Sequence, residues 1–345
     1  MSVQDPSVYP SADRPGPPAS SPNPVASAAG TSVAPQPLAA AAPVAIPQPA
    51  PGQLTLRRHA SLWADAWQRL RRNRAAVLGA CIVLGLLVVA LLAERLAPYD
   101  PAKQHYEYIQ QGPSAKFVLG TDLLGRDLLS RLIYGARVSV TVGLFSQLVV
   151  LAIGLPIGAV AALAGGRVDD LLMRFTDIVY AFPDLLFIIL LSTVLTQHPI
   201  KQVMGGMLVI FFAIGLVAWV GMARLVRGQL LSLREKEFVE AARALGATEA
   251  RILWRHLLPN ALGPIIVSLT FGIPGAIFAE AALSYIGIGI TPPMPSWGAM
   301  VRDGYGAIFG ATHMVVAPAA AIAITMMAFT FLGDGLRDAL DPRMK

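Results

Sequence analysis

Six long runs with almost no charged residues, at about 75–95, 138–165, 178–195, 203–222, 262–279 and 314–332, constrain this chain more than any other feature. A bilayer core about 30 Å thick is crossed by about 20 apolar residues in a helix, and each run meets or approaches that length. The third is interrupted by Asp184. Backbone polar groups in hydrocarbon must be satisfied within the segment or within a closed barrel. Barrel strands would alternate apolar and polar residues over about ten positions, which these runs do not do. With 55% hydrophobic and only 14% charged residues, against roughly 25% charged in soluble domains, the expected fold is an all-α integral membrane protein with six transmembrane helices.

The basic residues orient it. Positive charges near helix ends favour the cytoplasmic side. Arg57, Arg58, Arg69, Arg71, Arg72 and Arg74 precede the first run, and a cytoplasmic N-terminus also keeps Arg167, Arg174, Arg224, Arg227, Arg234, Lys236, Arg243, Arg251, Arg255, Arg337, Arg343 and Lys345 inside. On the opposite side Lys103, Lys116, Arg126 and Arg131 are accompanied by Asp100, Glu107, Asp122 and Asp127. Both termini are expected in the cytoplasm of a multi-pass membrane protein. The net charge of +6 then reflects orientation in lipid and not nucleic-acid binding, because the basic residues are divided among loops separated by apolar spans. Residues 1–52, rich in Pro, Ala and Ser and nearly uncharged, read as a disordered cytoplasmic tail. Residues 53–135 carry the basic flank, the first span and an extracytoplasmic loop, 136–333 the main transmembrane domain, and 334–345 a cytoplasmic tail. The first span reads as a signal anchor, and Cys81 inside it is the single cysteine, so no intrachain disulfide forms.

Between the fourth and fifth runs lies a polar, basic loop, 223–260, whose segment 235–259 reads EKEFVEAARALGATEARILWRHLLP. Ser232 followed by Glu235 fits a capping box that opens a helix there. Phe238, Ala242 and Leu245 recur at the spacing of one apolar stripe. Gly246 closes the helix in the left-handed region, and Thr248-Glu249 offers the N-cap of a second helix that Pro259 ends after Leu258. Such a pair docks by laying anchors into a groove, with Phe238, Val239, Ala242 and Leu245 as contacts, small Ala241 and Ala242 allowing close approach and Gly246 setting the angle. The plain alternative is a solvated helix pair that merely joins two spans.

The remaining signals concern chemistry and packing. Each of the five lysines follows Ala, Ile, Glu or Met, so the Gly-Lys step of the phosphate-cradling loop never occurs. The histidines lack an i, i+4 pair and no GxSxG elbow is present, so neither a metal site nor a catalytic side chain is expected. Asp184 and Glu280 are the candidate pathway residues, because a charge near membrane depth is costly unless it faces water or a partner. Asp184 reads as interfacial at the cytoplasmic end of its helix, and Glu280 as lining the exit or capping a solvated mouth on the outer side. Gly154 and Gly158 have the GxxxG spacing that lets another backbone approach, within the subunit. With so few charges in the spans, selection by a strong fixed charge is not expected.

Glu240-Ala241-Ala242, Gly246 and Leu258-Pro259 resemble the EAA signature of the membrane subunits of ATP-binding-cassette (ABC) importers, with His256 standing where the general pattern has isoleucine. The segments 119–137, with its Gly-Thr-Asp and Gly-Arg-Asp steps, 292–298 (PPMPSWG) and 332–338 (LGDGLRD) resemble the second permease subunit of dipeptide and oligopeptide importers. The resemblance runs from about Leu62 to Lys345. It implies a type I importer permease architecture in which Phe238, Val239, Glu240, Ala241, Ala242, Leu245, Gly246, Leu258 and Pro259 form the ATPase-coupling loop. The implied partners are a similar second permease, two cytoplasmic ABC ATPases that hold ATP and Mg while this chain binds no cofactor, an extracytoplasmic substrate-binding protein, and membrane lipid. The implied function is half of a pathway for di- or oligopeptides by alternating access, with glutathione or a nickel chelate as other substrates of the class. An ion-gradient-driven secondary transporter is the rival reading from another class, and a scaffold without transport is a third.

Overall fold

The computed structural model describes residues 62–196 and 205–340. The expected tail 1–52, the first residues of the fourth run and the last five residues lie outside them. The described residues are helical, with one isolated bridge between Thr121 and Asp127 and no strand. Five helices are long and apolar enough to cross a membrane, and one sharply bent pair makes a sixth candidate.

Amphipathic α1 (Leu62–Arg72) leads into α2 (Arg74–Leu91), where Asn73 Oδ1 accepts the Ala76 N–H at 3.2 Å and caps the first span. A short α3 (Ala93–Leu96) follows. The loop after it is organised by a buried carboxylate. Asp122 Oδ1 accepts the N–H groups of Leu124 and Arg126, each at 2.9 Å, and its Oδ2 receives Arg126 Nε at 2.7 Å and the Arg131 guanidinium. Asp303 completes the cluster, 3.4 Å from Arg131 and 3.5 Å from Arg126. Charges counted from sequence as free loop charges are thus mutually paired, as buried ions must be.

Asp127 caps α4 (Leu128–Ala164) by accepting the Ser130 N–H at 2.8 Å, so this helix starts ten residues before 138. At 1.5 Å per residue its 37 residues extend about 55 Å, well beyond the hydrocarbon core. α4 packs chiefly along α7 (Met207–Arg234). A Cβ on Gly154 would lie 2.7 Å from Met222 Cβ and 2.8 Å from the Trp219 carbonyl oxygen, and one on Gly158 would strike the Ala223 carbonyl. Gly215 returns the contact from α7 against Val149. In lipid no hydrophobic force drives helices together, so this close backbone approach is what association rests on.

The third expected span, 178–195, is not one helix. It divides into the end of α5 (Gly166–Tyr180) and α6 (Asp184–Thr196), which meet at 83° across Ala181-Phe182-Pro183. The reason is charge. α5 carries Arg167, Asp169, Asp170, Arg174 and Asp177 and cannot lie in hydrocarbon. It runs against α7 instead, where Arg227 holds Asp169 with two 2.5 Å bonds and Arg224 holds Asp177 at 2.8 Å.

α7 continues to Arg234, so Ser232 lies inside a helix and does not open one. After α8 (Glu237–Ala244) and α9 (Glu249–Ile252), a π turn over Leu253–Leu257 joins α10 (Leu258–Ile286) without a stop at Pro259. Pro259 occupies the first turn of α10, after the widened π turn. In an ordinary α-helix its ring would meet the carbonyl four residues back. α11 (Trp297–Tyr305), capped by Ser296, seats a fully buried Trp297 whose Nε1 donates to the Leu132 carbonyl at 3.0 Å. α12 (His313–Leu340) packs on α2 and α10 and stays helical through residues expected to form a tail, because Gly335 lets it press on Ala76 and Leu70.

Gly158→Ala should lower the thermal unfolding midpoint in detergent, since overpacking a tight contact costs about 1–3 kcal/mol. Gly228→Ala, whose added methyl meets nothing within 4 Å, should leave it unchanged or raise it, alanine being the better helix former.

Candidate functional site

The elbow between α7 and α10 is a rigid turn with two unlike faces. α8 ends in a Schellman motif: Ala247 N–H donates to the Ala242 carbonyl at 3.0 Å and Gly246 N–H to the Arg243 carbonyl at 2.8 Å. This places Gly246 at φ +82° with nothing near its missing side chain, so glycine is needed there for conformation and not for space. Thr248 then accepts the Arg251 N–H at 3.3 Å and opens α9, as its sequence indicates. Arg243 bridges the turn to Glu249 at 3.0 Å. That pair is half exposed and contributes at most about 1 kcal/mol; the turn is held mainly by its backbone bonds and by what lies beneath.

Beneath it, Val239, Ala242, Ile252, Leu253, Leu257 and Leu258 are buried in one cluster with Val226 and Leu230 of α7 and Ala159 and Ala162 of α4. Arg234 adds a 2.5 Å bond from its Nη1 to the Ala162 carbonyl. The stripe expected from Phe238, Ala242 and Leu245 is therefore not one face. Val239 and Ala242 point inward and are spent on the subunit's own packing, as is Leu258, while Glu240, Ala241, Gly246 and Pro259 are exposed.

The outward face carries three large apolar side chains among charged ones. Leu245 is 89% exposed, Trp254 69% and Phe238 41%, with the Phe238 ring 6.5 Å from the half-buried ring of His256. Large apolar side chains gathered on a protruding elbow mark a contact surface. Trp254 was missed from sequence. It was legible there: Ile252, Leu253 and Leu257 claim one side of the second helix and leave Trp254 on the other.

The two pathway candidates part company. Glu280 is fully buried, accepting the Ser284 hydroxyl at 2.7 Å and the Ser139 hydroxyl at 3.4 Å. The solvated mouth expected of it is not where it lies. Asp184 is exposed and lines a 530 Å³ cavity between α4, α6, α7 and α10. A second cavity of 760 Å³ lies beside α3 and the start of α4, at the Glu94–Arg137 pair.

The family described as binding-protein-dependent transport system inner membrane component matches residues 154–345, and the N-terminal TM domain of oligopeptide transport permease C matches residues 61–113. The oligopeptide transport system permease protein OppC of Bacillus subtilis is 40% identical over 289 residues, 84% of this chain and 92% of the relative. The dipeptide transport system permease protein DppC of the same organism is 43% identical over 282 residues, 81% of this chain and 86% of the relative. The glutathione transport system permease protein GsiD of Pectobacterium atrosepticum is 39% identical over 286 residues, 82% and 92% of the two chains. A chain of the MetNI methionine ABC transporter superposes with a TM-score of 0.51 at 20% identity, over 61% of this chain and 96% of its own length. That likeness concerns the fold alone.

The two faces separate by mutation. Leu257→Ala, beneath the elbow, should destabilise the subunit by about 2–5 kcal/mol, whereas Leu245→Ala and Trp254→Ala should stay within about 0.5 kcal/mol of the parent; thermal unfolding of the purified subunit measures all three.

Proposed function

The chain belongs to the family of binding-protein-dependent transport system inner membrane components, the permease subunits of ABC importers, and from that premise we propose that it forms half of a pathway that carries di- or oligopeptides inward. A second permease of the same family completes the pathway. Two cytoplasmic ATPases bind ATP and Mg, and an extracytoplasmic binding protein delivers the substrate. This chain itself binds no cofactor. Peptide is favoured because two of the relatives above carry oligopeptide and dipeptide in their names; glutathione, itself a tripeptide, falls within the same chemistry.

The observation that carries the reading is the elbow at Gly246. Its inner face is packed on α4 and α7, so a partner seated on Phe238, Leu245 and Trp254 is mechanically joined to the spans. Nucleotide-dependent movement of the ATPases would act through that contact, and the outward and inward states would differ in free energy by what the contact transmits. A secondary transporter would have no use for this surface.

Uptake of labelled di- and tripeptides into vesicles holding the full complex should require both ATP and the binding protein. Uptake driven by a proton or sodium gradient without ATP would overturn the reading. Gly246→Pro, which cannot hold φ +82° and removes the N–H bonded to Arg243, and Ala241→Asp, which places a carboxylate in an apolar groove at a cost of several kcal/mol, should each abolish uptake while the subunit still inserts. Normal uptake together with normal co-purification of the ATPases in both variants would refute the coupling role.

The orientation proposed is cytoplasmic at both termini, supported by the basic residues around the elbow and before α2. In a Cys81→Ser background, cysteines at Lys103 and Glu249, both exposed, should react with an impermeant maleimide from opposite sides of the membrane. His105 is unsuited to this because it packs against Tyr99 and Phe117.

A further inference from the structure

The 530 Å³ cavity has the size of a small-molecule site, and its lining is uneven in an informative way. Apart from Asp184, its walls hold no charged residue: Gln147 and Ser268 are polar, and the rest is apolar or glycine, with Ala218, Gly272 and Phe278 among them. Asp184 receives no hydrogen bond or ion pair from any other described side chain. Arg224, on the helix that packs against α5, is already bonded to Asp177 and stacked 4.7 Å over Tyr180. Such a carboxylate among membrane-spanning helices is costly unless it meets water or a cation.

We propose, resting on the peptide-importer reading, that Asp184 receives the protonated amino terminus of a peptide in transit, with Gln147 and Ser268 offering hydrogen-bonding groups and the apolar walls accepting the side chains. An α-amino group with a pKa near 8 is a cation at neutral pH, and it is the one positive charge that every unblocked peptide carries at a fixed place. A single anionic point in an otherwise uncharged chamber therefore recognises the backbone terminus without sorting by side chain, a fixed charge that the low charge count of the spans gave no reason to expect. The same residue also opens α6, where a carboxylate favours the positive helix end. That role stabilises only α6 itself and does not distinguish a free from an acetylated peptide, so exchange of Asp for Asn, read as the difference between those two ligands, separates the two.

The test measures binding of trialanine and N-acetyl-trialanine to the assembled permease–ATPase complex in nanodiscs by isothermal titration calorimetry, with co-elution of all subunits as the check on assembly. The parent complex should bind the free peptide at least about tenfold more tightly than the acetylated one. Asp184→Asn should bring the two together, and Asp184→Glu should restore the difference. Equal binding of both peptides by the parent, absence of binding to it, or an undiminished preference in Asp184→Asn would each overturn the proposal. ATP-dependent peptide uptake in the same preparation tells the two claims apart, because its absence sinks the importer reading, whereas uptake with no amino-terminal preference sinks only the role of Asp184.

Discussion

The close approach of α4 and α7 is the contact on which the rest of the subunit is built. Among helices in lipid, burial of apolar surface supplies little driving force, since the tails outside are as apolar as the core. What remains is dispersion between well-matched surfaces, which falls away steeply with distance. Gly154 and Gly158 permit that match by bringing the α4 backbone against the Trp219 and Ala223 carbonyls. α5 is clamped to α7 by Arg224 and Arg227, and the elbow is seated on the C-terminal halves of α4 and α7.

Ionic contacts are distributed by the same logic. The demanding charges are buried in pairs, as in the Asp122, Arg126, Arg131 and Asp303 cluster that ties the long loop before α4 to α11. Removing one member would strand the others without water, so the cluster fixes geometry even where its net contribution to stability is small. Glu280 follows a milder form of the rule, held by two serine hydroxyls.

Much of this was legible in the sequence, and the failures have physical causes. Apolar run length located the spans because hydrocarbon thickness is a hard limit. The caps at Thr248 and the turn at Gly246 were legible because they depend on residues within a few positions. The break before Asp184 was not, because the apolar count alone ignored the charges of α5 just upstream and the Phe182-Pro183 step between them. Ser232 and Glu235 have the spacing of a capping box, but α7 was already a helix there, and tertiary packing on α4 carried it through. The division of the apolar stripe into buried Val239 and Ala242 and outward Phe238 and Leu245 depended on where α4 and α7 lie, which local periodicity does not contain.

The π turn at Leu253–Leu257 has a mechanical consequence. By absorbing Pro259 without a stop, it makes the second arm of the elbow and the fifth apolar span a single helix, Glu249–Ile286. Its 38 residues measure about 57 Å, so it is a lever long enough to reach from one side of the bilayer to the other. A tilt of roughly ten degrees about one end would sweep the far end through about 10 Å. Ser268 and Gly272, which wall the cavity that Asp184 also lines, ride on its shaft, so force applied at Trp254 reaches the chamber wall without passing through any loop.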